Sequence, residues 1–214
     1  MINGELFPVF LGLEKRQISQ NRFERPFGFV PNEEFIMPKK TLVILAHPDI
    51  ARSRVNKRWA EELRAHSDAI TVHNIYEAYP DRNIDVAAEQ KLVEAHDRII
   101  FQFPIFWFST PAFLKQWIDE VLTYGWAFGP GGDKLKDKEI GLAFSTGGKG
   151  EAYQAGGQNR FSMSELTKWL EATAIYVGAK FLPSVALHGA LFDLTDEDLA
   201  ASSKAYAARL LEGS

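Results

Sequence analysis

The chain is predicted to fold as a three-layer, doubly wound α/β domain with five parallel strands. Three observations predict it: short continuous apolar runs suited to strands covered on both faces, helical spacing between those runs, and polar or glycine-rich loops where the runs end. Thr41-Leu42-Val43-Ile44-Leu45-Ala46 is the first strand. Ser53 then caps a helix whose apolar face is Val55, Trp59, Ala60 and Leu63. The alternation from Ile70 to Ile75 gives the second strand and closes the first βαβ unit. A Pro80-Asp81-Arg82-Asn83 turn leads to a short helix near Val86 to Ala95.

The third strand is Arg98 to Phe103, with the loop Pro104 to Pro111 after it. Thr110 suits an N-cap and Pro111 a first helical turn; Lys115, Trp117, Ile118, Val121 and Leu122 continue the helix to an end near Tyr124-Gly125. Gly129-Pro130-Gly131-Gly132 precedes a fourth strand, Glu139 to Ser145. Ser162 to Glu165 has the capping-box form ahead of a helix reaching about Val177, and Thr195 to Asp198 resembles a second box before the C-terminal helix. Between them Phe181 to Leu187 is the fifth strand. Its Pro183 belongs at a sheet edge.

At 214 residues and 46% hydrophobic content, the chain is long enough for one domain with a substantial core. A formal charge of −4 gives no basic footprint, which argues against nucleic acid and against attachment to an anionic membrane. No cysteine is present, so disulfides, thiolate nucleophiles and cysteine-held clusters are excluded, and a reducing cytoplasmic location is compatible. No apolar run is long enough for a membrane span. Residues 1 to 36 lack a clear period but hold six phenylalanines and three prolines. Two readings stay open for them: an extension ahead of a start near Met37, or an arm docked on its own domain or on a partner subunit. Residues 37 to 214 form the domain itself.

In an open parallel sheet, ligands bind outside the carboxyl ends of the strands. The loop Pro104-Ile105-Phe106-Trp107-Phe108 therefore lies on the functional edge, and its aromatics suit a flat, π-rich ligand. Ala46-His47-Pro48-Asp49 also resembles the opening of a zinc site, but position 50 is Ile and the other histidines lack ligand spacing, so no metal is expected. No glycine-rich dinucleotide fingerprint or GxxxxGK[ST] loop is present. Ser53 and Asn56 at a helix start can hold a phosphate, the alternative being an ordinary cap. With Thr146-Gly147-Gly148 after strand four, three loops would line one crevice where a flavin could lay its phosphate, ring and ring edge.

From about Thr41 onward the sequence resembles the flavodoxin-like NAD(P)H:quinone oxidoreductases. The residues that carry this are Ala46-His47-Pro48 with Ser53 and Asn56, Pro104 through Pro111 with Lys115 to Asp119, Tyr124 to Gly129, and Ser145 to Gly148 with Glu151 to Gln154. The resemblance implies strand order 2-1-3-4-5, non-covalent FAD or FMN, and NADH or NADPH as co-substrate. It also implies a ping-pong exchange in which a quinone takes the hydride, in a pocket tolerant of nitro and azo compounds. His47, Ser53, Val55 and Asn56 would contact the flavin phosphate side; Pro104 to Phe108, with Thr146, Gly147 and Gly148, would hold the ring. Tyr153 would be the pocket tyrosine, and Asn159 stands where some members place a proton-relaying histidine, a role asparagine cannot fill. Trp126 and Phe128 would complete the pocket across a homodimer. His188 is open between an edge residue and a pocket residue. Two other roles fit the resemblance: a redox-sensing subunit of a glutathione-gated potassium efflux antiporter, and a flavodoxin-type electron carrier.

Overall fold

The computed structural model describes residues 39–192 and 194–212; the expected N-terminal extension lies outside them. In chain order the elements are β1 (Thr41–Leu45), α1 (Val55–Arg64), β2 (Ile70–Asn74), α2 (Ile75–Ala78), α3 (Val86–Glu94), β3 (Arg98–Pro104) and α4 (Ala112–Val121). They continue as β4 (Glu139–Ser145), α5 (Met163–Leu166), α6 (Lys168–Tyr176), β5 (Lys180–Phe181), β6 (Val185–Leu187) and α7 (Asp196–Leu211). All strand pairs are parallel, in the order β2-β1-β3-β4-β5, with β6 also on β4. The expected order 2-1-3-4-5 is thus the observed one.

Each central strand is apolar throughout because it feeds two cores with a period of two. Leu42, Ile44, Ile99, Phe101, Ile140 and Leu142 pack on one face against α4 and α6 residues, including Leu114, Trp117, Val121, Leu170 and Ala174. Val43, Ile100 and Ala143 pack on the other face against Val55, Trp59 and Leu63 of α1 and Tyr206, Ala207 and Leu210 of α7. Two buried carboxylates tie the layers together. Glu89 of α3 accepts from Trp117 Nε1 at 2.7 Å, Tyr79 OH at 2.6 Å and His73 Nε2 at 2.8 Å. Glu139 pairs with Lys39 and with buried Arg98, which also donates to the Leu210 carbonyl and so anchors the end of α7.

Several boundaries differ from the sequence expectation, each for a local reason. The fifth strand is in two pieces: Ile140 pairs with Phe181 and Ala143 with Val185, so three steps along β4 face four along the edge. The extra residue falls around Pro183, which has no N–H for the ladder, and the edge bulges there. The helix from Ser162 breaks at Thr167 (φ −101°, ψ 5°), whose Oγ1 bonds back to the Met163 carbonyl. Strand two stops at Asn74, because its side chain caps α2 by accepting the Tyr76 N–H. Thr110 is not the cap of α4: Pro111 is extended (ψ 141°) and its carbonyl accepts the Leu114 N–H, so the helix begins at Ala112. That helix ends at Val121 rather than near Gly125, since Thr123 to Gly129 fold into a separate loop. Both capping boxes, Ser162/Glu165 and Thr195/Asp198, form as expected.

Candidate functional site

The chain leaves β1 toward β2 and leaves β3 toward β4, so the loops diverge and a crevice opens at the carboxyl ends of β1 and β3. Two adjoining hollows fill it. One, of about 330 Å³, is lined by His47, Ser53, Val55, Asn56, Pro104, Phe106 and Thr146. The other, of about 910 Å³, is lined by Trp107, Phe108, Gly148, Tyr153 and Asn159. Ile105, Gly147 and Leu191 border both, which makes them one groove. Fourteen of the predicted residues therefore converge, from loops more than a hundred positions apart.

The smaller hollow has a mainly apolar lining, into which His47, Ser53 and the start of α1 bring polar groups beside Arg52 and Arg54. Ser53 Oγ accepts the Asn56 N–H at 3.1 Å, which leaves the hydroxyl hydrogen to donate to a ligand beside the first turn of α1. Val55 and Asn56 are buried, and Asn56 Nδ2 donates to Ser145 Oγ at 3.0 Å. One Nδ2 hydrogen of Asn56 is thus committed to Ser145, and its Oδ1 is buried without a hydrogen-bond partner. His47 Nδ1 accepts the Asp49 N–H at 3.1 Å, and the Asp49 carboxylate accepts the Arg52 N–H at 3.3 Å. Burial holds the His47 imidazole below its ordinary pKa, against the pull of Asp49. Among the described residues no cluster of three or more His, Asp or Glu side chains forms a metal site.

The aromatic loop is a two-residue turn closed at both ends: Phe106 N–H donates to Ser109 O at 2.9 Å, and Ser109 N–H to Phe106 O at 3.0 Å. Trp107 (φ 46°) and Phe108 (φ 63°) both sit in the left-handed region, where a side chain costs about 1–2 kcal/mol each. The strain presents Trp107 to solvent, 93% exposed, beside the larger hollow. Strain held at a ligand-facing loop is a common mark of function.

Opposite that turn, the Thr146–Gly148 segment is held by the chain after β6. Gly189 N–H donates to Gly148 O, Ala190 N–H to Thr146 O and Leu191 N–H to Gly147 O. A Cβ on Gly148 would lie 3.3 Å from the Tyr153 hydroxyl, and one on Gly147 would lie 2.8 Å from Leu191 Cδ1. Bare backbone is therefore what lets these side chains approach. His188, left open by the sequence, lines neither hollow but backs the groove: its ring stacks on Tyr153 at 5.7 Å and its Nδ1 lies 2.9 Å from Thr146 Oγ1. Its position just past a strand's carboxyl end is a signal that could have found it. Leu191 and Phe192 had no such signal.

A family model for the flavodoxin-like fold matches residues 39–210. The chain belongs to the flavodoxin-like fold family. An uncharacterized NAD(P)H oxidoreductase, YdeQ, of Bacillus subtilis is 52% identical over 167 residues, which cover 78% of this chain and 84% of that protein. The glutathione-regulated potassium-efflux system ancillary protein KefF of an Enterobacter species is 42% identical over 80% of this chain and 95% of its own. Among solved structures, general stress protein 14 of Treponema denticola in complex with FMN is 46% identical with a TM-score of 0.76, covering 80% and 97% of the two chains. An NADPH-quinone reductase from P. pentosaceus is 37% identical with a TM-score of 0.70, covering 78% and 97%.

Within this flavodoxin-like domain, Trp126 and Phe128 stand apart from the groove. Trp126 Nε1 donates to Glu94 Oε1 at 2.7 Å, and Phe128 packs against the rings of Tyr124 and Tyr176, at 5.8 and 5.5 Å. Among the described residues no helix is long and apolar enough to cross a membrane.

Proposed function

We propose that this chain is a cytoplasmic, FMN-dependent NAD(P)H:quinone oxidoreductase that carries out two-electron hydride transfer in a ping-pong cycle. One observation carries the reading: a single groove joins a hydrogen-bonding helix start, a strained aromatic turn and a glycine pair beneath a tyrosine. The FMN complex of the Treponema relative and the similarity to the YdeQ oxidoreductase and the P. pentosaceus quinone reductase support it. They favour FMN over FAD and leave both NADH and NADPH as co-substrates to be compared.

The groove fits a flavin mononucleotide. His47 Nε2–H, Ser53 Oγ–H and the first N–H groups of α1 would hold its phosphate, since a helix start favours an anion. Ile105 to Phe108 would cover the ring, and Gly147 and Gly148 would admit its edge to backbone contact. A bound flavin supplies the hydride acceptor and donor that the side chains lack. The chain's own part is to orient the ring, exclude water with Trp107 and Phe108, and aim the Tyr153 hydroxyl at the negative charge that develops there. Asn159 lines the same hollow as a hydrogen-bond donor.

In the full reading two copies pair through the face of half-buried Trp126 and Phe128, where Tyr124 and Tyr176 are exposed. Light scattering on the purified chain checks this; a monomer would remove the dimer from the reading. The identity to KefF supports a second role, as the ancillary subunit of a potassium efflux antiporter, for which co-purification with such a transporter is the check.

The deciding experiment is anaerobic absorption spectroscopy of the FMN-loaded full chain during addition of NADPH or NADH and then of benzoquinone. Full bleaching by a nicotinamide followed by reoxidation by the quinone is expected. A flavin that both nicotinamides leave oxidised, or a chain that retains no FMN, overturns the proposal.

A further inference from the structure

His188 touches one lining residue of each hollow, Tyr153 of the larger and Thr146 of the smaller, and the chemistry of its contacts fixes how. The Thr146 hydroxyl has one hydrogen, and it is donated to the Gly148 carbonyl at 2.7 Å. The 2.9 Å contact between Thr146 Oγ1 and His188 Nδ1 must therefore be a bond donated by the imidazole, which sets the Nδ1–H tautomer. Burial keeps the ring neutral by lowering its pKa, in agreement with a single N–H. One face of the ring lies on Tyr153, with centroids 5.7 Å apart and planes at 29°. Phe144 meets it edge-on at 6.3 Å, and Gly150 leaves room for it, since a Cβ there would come within 3.3 Å of His188 Cδ2.

The sheet does not require this imidazole. β6 ends at Leu187, and the backbone of Gly189 to Leu191 makes its own bonds to the Thr146–Gly148 turn. A small residue at 188 would leave those backbone bonds intact, while freeing the Tyr153 ring and the Thr146 hydroxyl. Tyr153 itself follows a short 3-10 turn on an exposed loop, and its ring gains an ordered surface from His188.

We infer that His188 is a positioning residue of the cleft: its ring face orients the Tyr153 phenol over Gly148, and its Nδ1–H closes the Thr146–Gly148 turn. The two contacts are separable by substitution. The inference rests on the flavin reading only for the part that concerns FMN affinity. His188→Phe keeps a ring for Tyr153 and removes the donor. His188→Asn places an amide N–H where Nδ1 was and removes the ring.

The test uses the full-length chain labelled with 3-fluorotyrosine, its Tyr153 resonance assigned from the Tyr153→Phe variant, together with FMN titration by flavin fluorescence. In His188→Phe the fluorine resonance of Tyr153 should stay near the wild-type position, while FMN binding weakens about fivefold, the scale of one neutral hydrogen bond. In His188→Asn the affinity should return to within about twofold of wild type, whereas the resonance moves toward that of free fluorotyrosine. Unchanged readouts in both variants, or equal changes in both, would overturn the inference, the second by reducing His188 to general packing. Failure of the wild-type chain to bind FMN would sink the flavin reading instead; the Tyr153 resonance of the unloaded protein would still judge His188.

Discussion

The Asp49 N–H donates to His47 Nδ1 at 3.1 Å, so the neutral imidazole carries its proton on Nε2 and presents a donor to the smaller hollow of the groove. Gln at position 47 can place an amide N–H near that Nε2, whereas Asn can satisfy Asp49 but reaches no further. His47→Gln should hold FMN within about threefold of wild type, and His47→Asn should weaken it about tenfold, the scale of a charge-assisted bond to phosphate. Fluorescence titration measures both. Equal affinities in the two variants would remove His47 from the phosphate site.

The turn at Trp107 and Phe108 stores strain that the unloaded protein does not need. Trp107 is nearly fully exposed, so Trp107→Gly gives up little burial and relieves a left-handed side chain. After the entropic cost of glycine in the unfolded chain, a gain of roughly 0.5–1 kcal/mol remains, or about 1–4 °C in Tm. The same change should lower FMN affinity by removing an aromatic wall. Calorimetry and titration on the same samples check it; a fall in both quantities would mean that the indole stabilises the unloaded fold.

Much of this was legible in the sequence because it is local. Apolar runs marked β1, β3 and β4, and the capping boxes at Ser162 and Thr195 formed where their spacing placed them. The three groove loops were legible for a topological reason, since each follows the carboxyl end of a strand. What could not be read depends on partners distant along the chain. That Asn56 gives an amide hydrogen to Ser145, 89 positions away, is not visible from the helix start alone. The stack of His188 on Tyr153 needs both the edge strand and the loop after β4 in place. The bulge at Pro183 is a question of register, visible only once β4 supplies the other side of the ladder.

Stability should fall as the solution is acidified, in two stages. His47 and His188 are each held below the ordinary histidine pKa, chiefly by burial. The unfolded chain then binds more protons than the native one below about pH 6.5, so the stability these rings contribute is complete above that value and is lost as pH drops through it. Glu89 and Glu139 titrate lower than ordinary carboxylates: burial pushes each upward but is outweighed, for Glu89 by its His73, Tyr79 and Trp117 bonds and for Glu139 by Lys39 and Arg98. Their contribution is present above about pH 4.5 and lost below it. Urea midpoints from pH 8 to 4 should therefore be flat at first, decline from near 6.5, and steepen toward 4. A midpoint that rises between pH 7 and 5.5 would contradict the histidine stage.

Two glycines separate the demands of folding from those of the groove. A Cβ on Gly132 would lie 2.2 Å from the Phe128 carbonyl oxygen, a backbone atom that cannot move without disturbing the Gly129–Gly132 turn. Gly132→Ala should therefore destabilise by about 3 kcal/mol or more, at the severe end for a single substitution. On Gly147 the nearest atom is Leu191 Cδ1 at 2.8 Å, the tip of a side chain that is 83% exposed and free to swing aside. Gly147→Ala should cost less than about 1 kcal/mol of stability. Yet Gly147 borders both hollows, so the added methyl and the displaced leucine intrude where the ring edge would lie. Urea unfolding and FMN titration of the two variants should show opposite patterns: Gly132→Ala with lost stability, Gly147→Ala with an ordinary fold and at least about tenfold weaker binding. Tight FMN binding by a well-folded Gly147→Ala would place the ring elsewhere than against the Thr146–Gly148 turn.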